Sequence, residues 1–145
     1  MNDTTRPSVA GSLREALELL GRDVDGSNTL LAQLYDESVV FRDPLQTVHG
    51  LDAFLAMNRR LASRAREISF SVTDMAEGSS SLFMAWTMRY APKVGPALHF
   101  EGTTHLKLRG GKVIEHRDYW DLLDSVTDTI PLVSRAYHGV VRHLA

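Results

Sequence analysis

The feature that most constrains this chain is the stretch from residue 67 to residue 121. Four segments, 67–77, 80–91, 97–108 and 112–121, follow one another there. Only short turn-forming interruptions separate them, at Glu77-Gly78-Ser79, at Pro92 to Pro96 and at Gly110-Gly111. Tight glycine-rich turns join consecutive strands as antiparallel hairpins, so the pattern predicts a meander. Helical periodicity is confined to the residues before and after it. Helices and an antiparallel sheet that are segregated along a chain form an α+β domain, with the helices layered on one face of the sheet.

Successive side chains of a strand point to opposite faces, so each segment divides into two sides. In 98–108 one side carries Leu98, Phe100, Gly102, Thr104, Leu106 and Leu108, and the other carries His99, Glu101, Thr103, His105 and Lys107. Residues 82–90 set Leu82, Met84, Trp86, Met88 and Tyr90 against Phe83, Ala85, Thr87 and Arg89. The last segment is different in kind. Its mostly polar side holds Val113, Glu115, Arg117, Tyr119 and Asp121, while His116 and Asp118 share the other side with Ile114 and Trp120. A short strand, Val39 to Asp43, places Phe41 and then Asp43 on one apolar row. Ionisable groups on an inward face cost several kcal/mol to desolvate unless they are partnered. Acid/base residues occur in that setting, which makes Asp118, His116 and Asp43 the candidate catalytic set.

The rest of the chain supplies the cover. Residues 1–11 read as a loose tail, and 12–145 as one domain. Ser12 and Glu15 have capping-box spacing ahead of Leu13, Ala16, Leu17 and Leu20, with Gly21 closing the helix. A second helix is expected from Ser27 to Tyr35. A third follows His49-Gly50, with Phe54, Leu55, Leu61, Ala62 and Ala65 on one stripe. A final helix over 131–144 would bury Val133, Tyr137, Val140, Val141 and Leu144. The architecture expected is a cone-shaped, curved antiparallel sheet with the N-terminal helices on its concave face, enclosing an apolar pocket, plus a C-terminal helix. Tyr35, Phe41, Phe54, Met84, Trp86, Met88, Phe100, Thr104 and Trp120 are the residues expected to line the pocket.

Composition removes several function classes. With no cysteine, the chain has no disulfide, thiolate metal site or cysteine nucleophile. Its net charge of -2 leaves no basic footprint for nucleic acid. No apolar run approaches the roughly 20 residues of a membrane span. The polar residues Met1 to Gly11 lack the apolar core of a signal peptide, so a cytoplasmic protein is expected. No cofactor is called for, and one histidine with two carboxylates is a weak metal set, so no metal is expected.

The order helix, helix, short strand ending in Phe41-Arg42-Asp43-Pro44, then Val48-His49-Gly50 opening a helix, then a meander, resembles the nuclear transport factor 2-like superfamily. The run from Gly111 to Asp121, with Glu115-His116-Arg117-Asp118 inside it, is similar to that of SnoaL-like domains, relatives of ketosteroid isomerase and polyketide cyclases. Asp43 falls where the isomerase has its general base. The isomerase's two oxyanion-hole residues fall near Leu19 and Thr104 here, so its strong donors are missing. Asp118 with His116 resembles the acid/base site of SnoaL-type cyclases. An epoxide-hydrolase arrangement is disfavoured, because Arg42, Arg89 and Arg117 fall on outward faces. The resemblance also implies a homodimer through the outer sheet face, which carries His99, Glu101 and His105.

Two readings follow. One is proton transfer on an apolar cyclic or polyketide-like substrate, of isomerase, cyclase or lyase type, with Asp118 as acid/base, His116 orienting it and Asp43 as a second carboxylate. The other is a non-catalytic binder of a lipophilic ligand, or an accessory subunit.

Overall fold

The computed structural model describes residues 8–127, 135 and 138–142. Helix α1 runs Val9–Leu19 and begins earlier than the capping box suggests: Ser8 is the N-cap, its hydroxyl accepting from the Gly11 N–H at 3.1 Å. Helix α2, Val24–Leu34, is likewise capped upstream, by Asp23 on the Gly26 N–H at 2.9 Å. Ser27, where the sequence pattern starts this helix, lies inside it, fully buried, and donates to the Ala16 carbonyl at 2.6 Å, tying α2 to α1.

Strand β1, Tyr35–Arg42, starts at Tyr35, so this residue opens a strand and does not end a helix. A short β2, Thr47–His49, pairs back on β1 and leads through Gly50 (φ 90°) into α3, Leu51–Arg64. The meander follows as β3 Ala65–Glu77, β4 Ser81–Pro92, β5 Leu98–Arg109 and β6 Lys112–Trp120. Gly110 and Gly111, at φ 59° and 77°, make the last turn, where both residues need the left-handed region. The curved six-stranded sheet has the order β2-β1-β6-β5-β4-β3. All its pairings are antiparallel except β1 with β6, which is parallel because β1 enters from the helices to flank the last strand.

Register sets the inner face in cross-strand rows. One row reads Phe41, His116, Leu106, Leu82; the next Asp118, Thr104, Met84; then Trp120, Gly102, Trp86; then Phe100, Met88, Phe70; and last Leu98, Tyr90, Ile68. A bulge between Lys107 and Leu108 shifts the pairing by one residue and turns Val113 inward, where it is fully buried, against the polar side that strict alternation assigns it.

The helices close the inner face. Leu13, Ala16, Leu17, Leu31, Phe54 and the inner strand residues form one buried cluster. Glu18 accepts from the Val72 N–H at 3.1 Å, fixing α1 over β3. Asn58 donates to Asn28 at 3.1 Å, and Asn28 donates to the Leu55 carbonyl at 3.1 Å, locking α2 to α3. A short α4, Leu122–Thr127, follows the sheet and has no counterpart in the sequence pattern. Of the helix expected over 131–144, Arg135 and residues 138–141 are helical, Arg142 is in a turn, and the rest lies outside the described residues, Val133, Tyr137 and Leu144 among it. Val140 and Val141 are 62% and 39% exposed, so the burial expected of them is not found; apolar spacing marks a face without supplying a partner for it. No helix of the described residues is long and apolar enough to cross a membrane.

Candidate functional site

Between α1, α3 and the concave sheet lies a cavity of about 370 Å³, with Phe41, Phe54, Met84, Trp86, Met88, Phe100, Thr104, His116, Asp118 and Trp120 in its wall and Asp43 at its rim. The apolar part of the wall follows from the rows above. Phe70 stacks on Trp86 with ring centroids 5.2 Å apart, and Phe100 meets Trp120 edge-on at 5.1 Å. Gly102 sits opposite Trp86 on β5, and a Cβ there would fall 2.3 Å from the indole, so only glycine lets the ring lie flat across the strand.

The polar part is one continuous relay. The Trp86 indole N–H donates to Thr104 Oγ1 at 2.8 Å, and the Thr104 hydroxyl donates to Asp118 Oδ1. His116 Nε2 lies 2.8 Å from the same Oδ1, and its Nδ1 lies 2.7 Å from the Tyr35 hydroxyl. The direction of the relay follows from satisfiability. Burial, reinforced by the negative charge of Asp118, holds the Tyr35 phenol well above its ordinary value of 10.0, so it keeps its proton. Among the described residues that proton has one acceptor, His116 Nδ1. Nε2 therefore carries the imidazole hydrogen and donates it to Asp118.

Asp118 is thereby held from two sides through Oδ1, while Oδ2 has no hydrogen-bond partner among the described residues and is not fully buried. The carboxylate is 18% exposed and the imidazole beside it 4%. Phe41, Phe54 and Tyr35 box the imidazole, with ring centroids 4.9, 5.7 and 5.9 Å away, which fixes its plane. The arrangement is that of an oriented carboxylate with one oxygen available to a bound molecule.

Two expected site residues are placed differently. Tyr35 does not line the cavity: it stands fully buried behind His116, because β1 begins there and turns the side chain into the core, stacked on Phe54 at 5.1 Å. Asp43 is not joined to the Asp118 relay. Its Oδ1 accepts the backbone N–H groups of Leu45 and Gln46 at 2.7 and 2.9 Å, and its Oδ2 meets the Gln46 amide at 3.5 Å. That is the Asx-type turn that aspartate before proline commonly builds. Asp43 is absent from any convergent set, since no three His, Asp or Glu side chains of the described residues come together.

Sequence patterning also passed over several wall residues. Asn58 is a buried amide in the cavity wall, recognisable in sequence only as a polar interruption between Phe54, Met57 and Leu61. Arg60 and Arg64, one turn apart on α3, reach the same cavity from its exposed edge. Their spacing alone reads as a wet helix face. Of the outward arginines, Arg89 pairs with Glu67 at 2.8 Å and Arg117 lies over Tyr119.

A helix-covered curved sheet around an apolar cavity, with one carboxylate–imidazole pair in its wall, defines a class of small pocket domains. Within it, the SnoaL-like domain model matches residues 14–116, and the chain belongs to that family. Solved structures agree on the fold. A hypothetical protein from Catenulispora acidiphila with a ketosteroid isomerase-like fold, solved with trimethylamine, is 16% identical with a TM-score of 0.70, over 86% of this chain and 94% of that one. A protein from Jannaschia sp. CCS1 designated a SnoaL-like polyketide cyclase is 18% identical, TM-score 0.66, over 89% and 97%. TsrD from Streptomyces laurentii is 18% identical, TM-score 0.69, also over 89% and 97%. No curated protein matches the sequence.

Proposed function

We propose that this protein binds a small apolar, ring-containing molecule in its cavity and transfers a proton at a carbon next to a carbonyl. The observation that carries the reading is the division of labour at Asp118, a carboxylate of the cavity wall: Oδ1 is taken by His116 and Thr104, and Oδ2 has no hydrogen-bond partner among the described residues. Asp118 takes the proton from carbon on Oδ2 and returns it to another atom of the same substrate, which is isomerase, cyclase or lyase chemistry according to where it returns. His116 acts through Asp118 as a positioning residue, and Tyr35 fixes its tautomer.

The wall also limits the substrate. Thr104 is engaged at both ends, and the Asn58 amide already donates to Asn28. Few donors are left for a developing enolate, so the carbanion has to be stabilised within the substrate, as in a β-dicarbonyl or an α-aryl ketone. Asp43 keeps a structural role in this scheme.

Exchange of the benzylic α-protons of 2-tetralone in D₂O, followed by proton NMR, tests it. The expected result is faster exchange with the protein and loss of that acceleration in Asp118→Asn. A variant that exchanges as fast as the parent ends the catalytic reading. The second reading, a binder without chemistry, is favoured by the mutual pairing of Trp86, Thr104, His116 and Tyr35, which leaves them nothing to offer a transition state. It would show as 2-tetralone binding with no exchange at all.

A further inference from the structure

The cavity has a chemically distinct outer end. Asp118 and His116 sit in the inner rows of the sheet, beside Phe54 in the first turn of α3. Arg60 and Arg64 lie six and ten residues further along the same helix, about 9 and 15 Å away at 1.5 Å per residue. Both belong to the cavity wall and both are exposed.

Neither guanidinium has an ion-pair partner among the described residues. The neighbouring Arg59 is taken by Asp25 at 3.6 Å. The acidic group at the rim, Asp43, is turned onto the backbone N–H groups of its own loop. Like charges four residues apart on a helix repel each other modestly, so this pair is an uncompensated cost to the free protein. A guanidinium presents a planar fork of donors matched to carboxylates, sulfonates and phosphates.

We infer that the ligand carries an anionic group at the end remote from the reacting carbon, held by Arg60 and Arg64 at the cavity mouth. This rests on the pocket reading above and narrows it: the substrate is an apolar ring system with an acidic substituent at the end away from the carbon that faces Asp118. An amphipathic molecule of that kind enters ring first, since the anion stays at the exposed rim where its hydration is only partly lost.

A matched pair of dyes tests the inference. 8-Anilinonaphthalene-1-sulfonate carries the anion, and N-phenyl-1-naphthylamine is its neutral parent. The chain's two tryptophans, Trp86 and Trp120, both line the cavity, so a dye bound there must quench their emission. Arg60→Gln/Arg64→Gln is expected to weaken the sulfonate dye roughly five- to tenfold at low salt and to leave the neutral dye within about twofold. In the parent the sulfonate dye should weaken with added salt while the neutral dye does not. Equal affinities of parent and double variant for the sulfonate dye, with tryptophan quenching intact, overturn the anion subsite and leave the pocket reading standing. Absence of tryptophan quenching by both dyes overturns the pocket reading and this inference together.

Discussion

Replacing Tyr35 with phenylalanine removes one oxygen and leaves the ring in place. The stacked contact with Phe54 at 5.1 Å survives, so the loss is confined to the hydrogen bond on His116 Nδ1. His116 is only 4% exposed, and the acceptor it is left with is buried without a partner. Leaving such a group unpaired costs about 1–3 kcal/mol, and in a domain near 150 residues each kcal/mol lowers Tm by about 2–4 °C. At pH 8 the variant should therefore melt about 2–12 °C below the parent. The pH dependence of the gap is the sharper test. The folded state keeps the Tyr35 phenol protonated above its ordinary value of 10.0, while the unfolded chain ionises there. Below pH 10.0 both states bind the proton and the contribution is fully present. Above it the unfolded state binds fewer protons, so parental stability falls with rising pH, by up to about 1.4 kcal/mol per unit. Tyr35→Phe has no such proton to lose, and every other alkaline group is common to both proteins. Urea unfolding of both at pH 8 and pH 11 should show the gap narrowing by about 1.4 kcal/mol. A gap that stays constant or widens would refute the argument that the phenol is held neutral against the imidazole.

Gly102→Ala drives a Cβ to 2.3 Å from the Trp86 ring, so the indole must leave Thr104; a loss of about 1–3 kcal/mol and a changed tryptophan emission are expected, and an unchanged spectrum would contradict the packing. Asp43→Asn keeps an acceptor for the Leu45 and Gln46 N–H groups and should leave 2-tetralone exchange intact, whereas Asp43→Ala should cost about 1 kcal/mol; if the asparagine variant abolishes exchange, Asp43 is catalytic after all. On the outer sheet face, Phe83 is 44% exposed, stacked on His105, and Tyr119 is 50% exposed. If that face carries the homodimer implied by the family resemblance, light scattering should give twice the chain mass and Phe83→Glu should halve it; a monomer at all concentrations removes the dimer.

The sequence by itself determined the meander, its turns and most of the inward side chains, because period-two alternation and glycine turns act over a few residues. It also marked His116 and Asp118, since two ionisable groups on an apolar row need a reason to be there. How those groups are joined is set by tertiary structure alone. Tyr35 meets His116 across 81 residues of chain, and that contact depends on β1 running parallel beside β6. Local signals misread the same places. Ser12 has the chemistry of a cap, but Ser8 caps the helix one turn earlier; Val113 is turned inward by a bulge in its own hairpin. Asp43 stood on the right row for a base, and only the fold directs its carboxylate to its own loop. The orientation of α3 over the sheet then made Arg60 and Arg64, two solvated arginines in sequence, the edge of a cavity. Register, bulges and helix placement are set by contacts between residues far apart in the chain, and a linear pattern records which side chains are available for such contacts but not which of them meet.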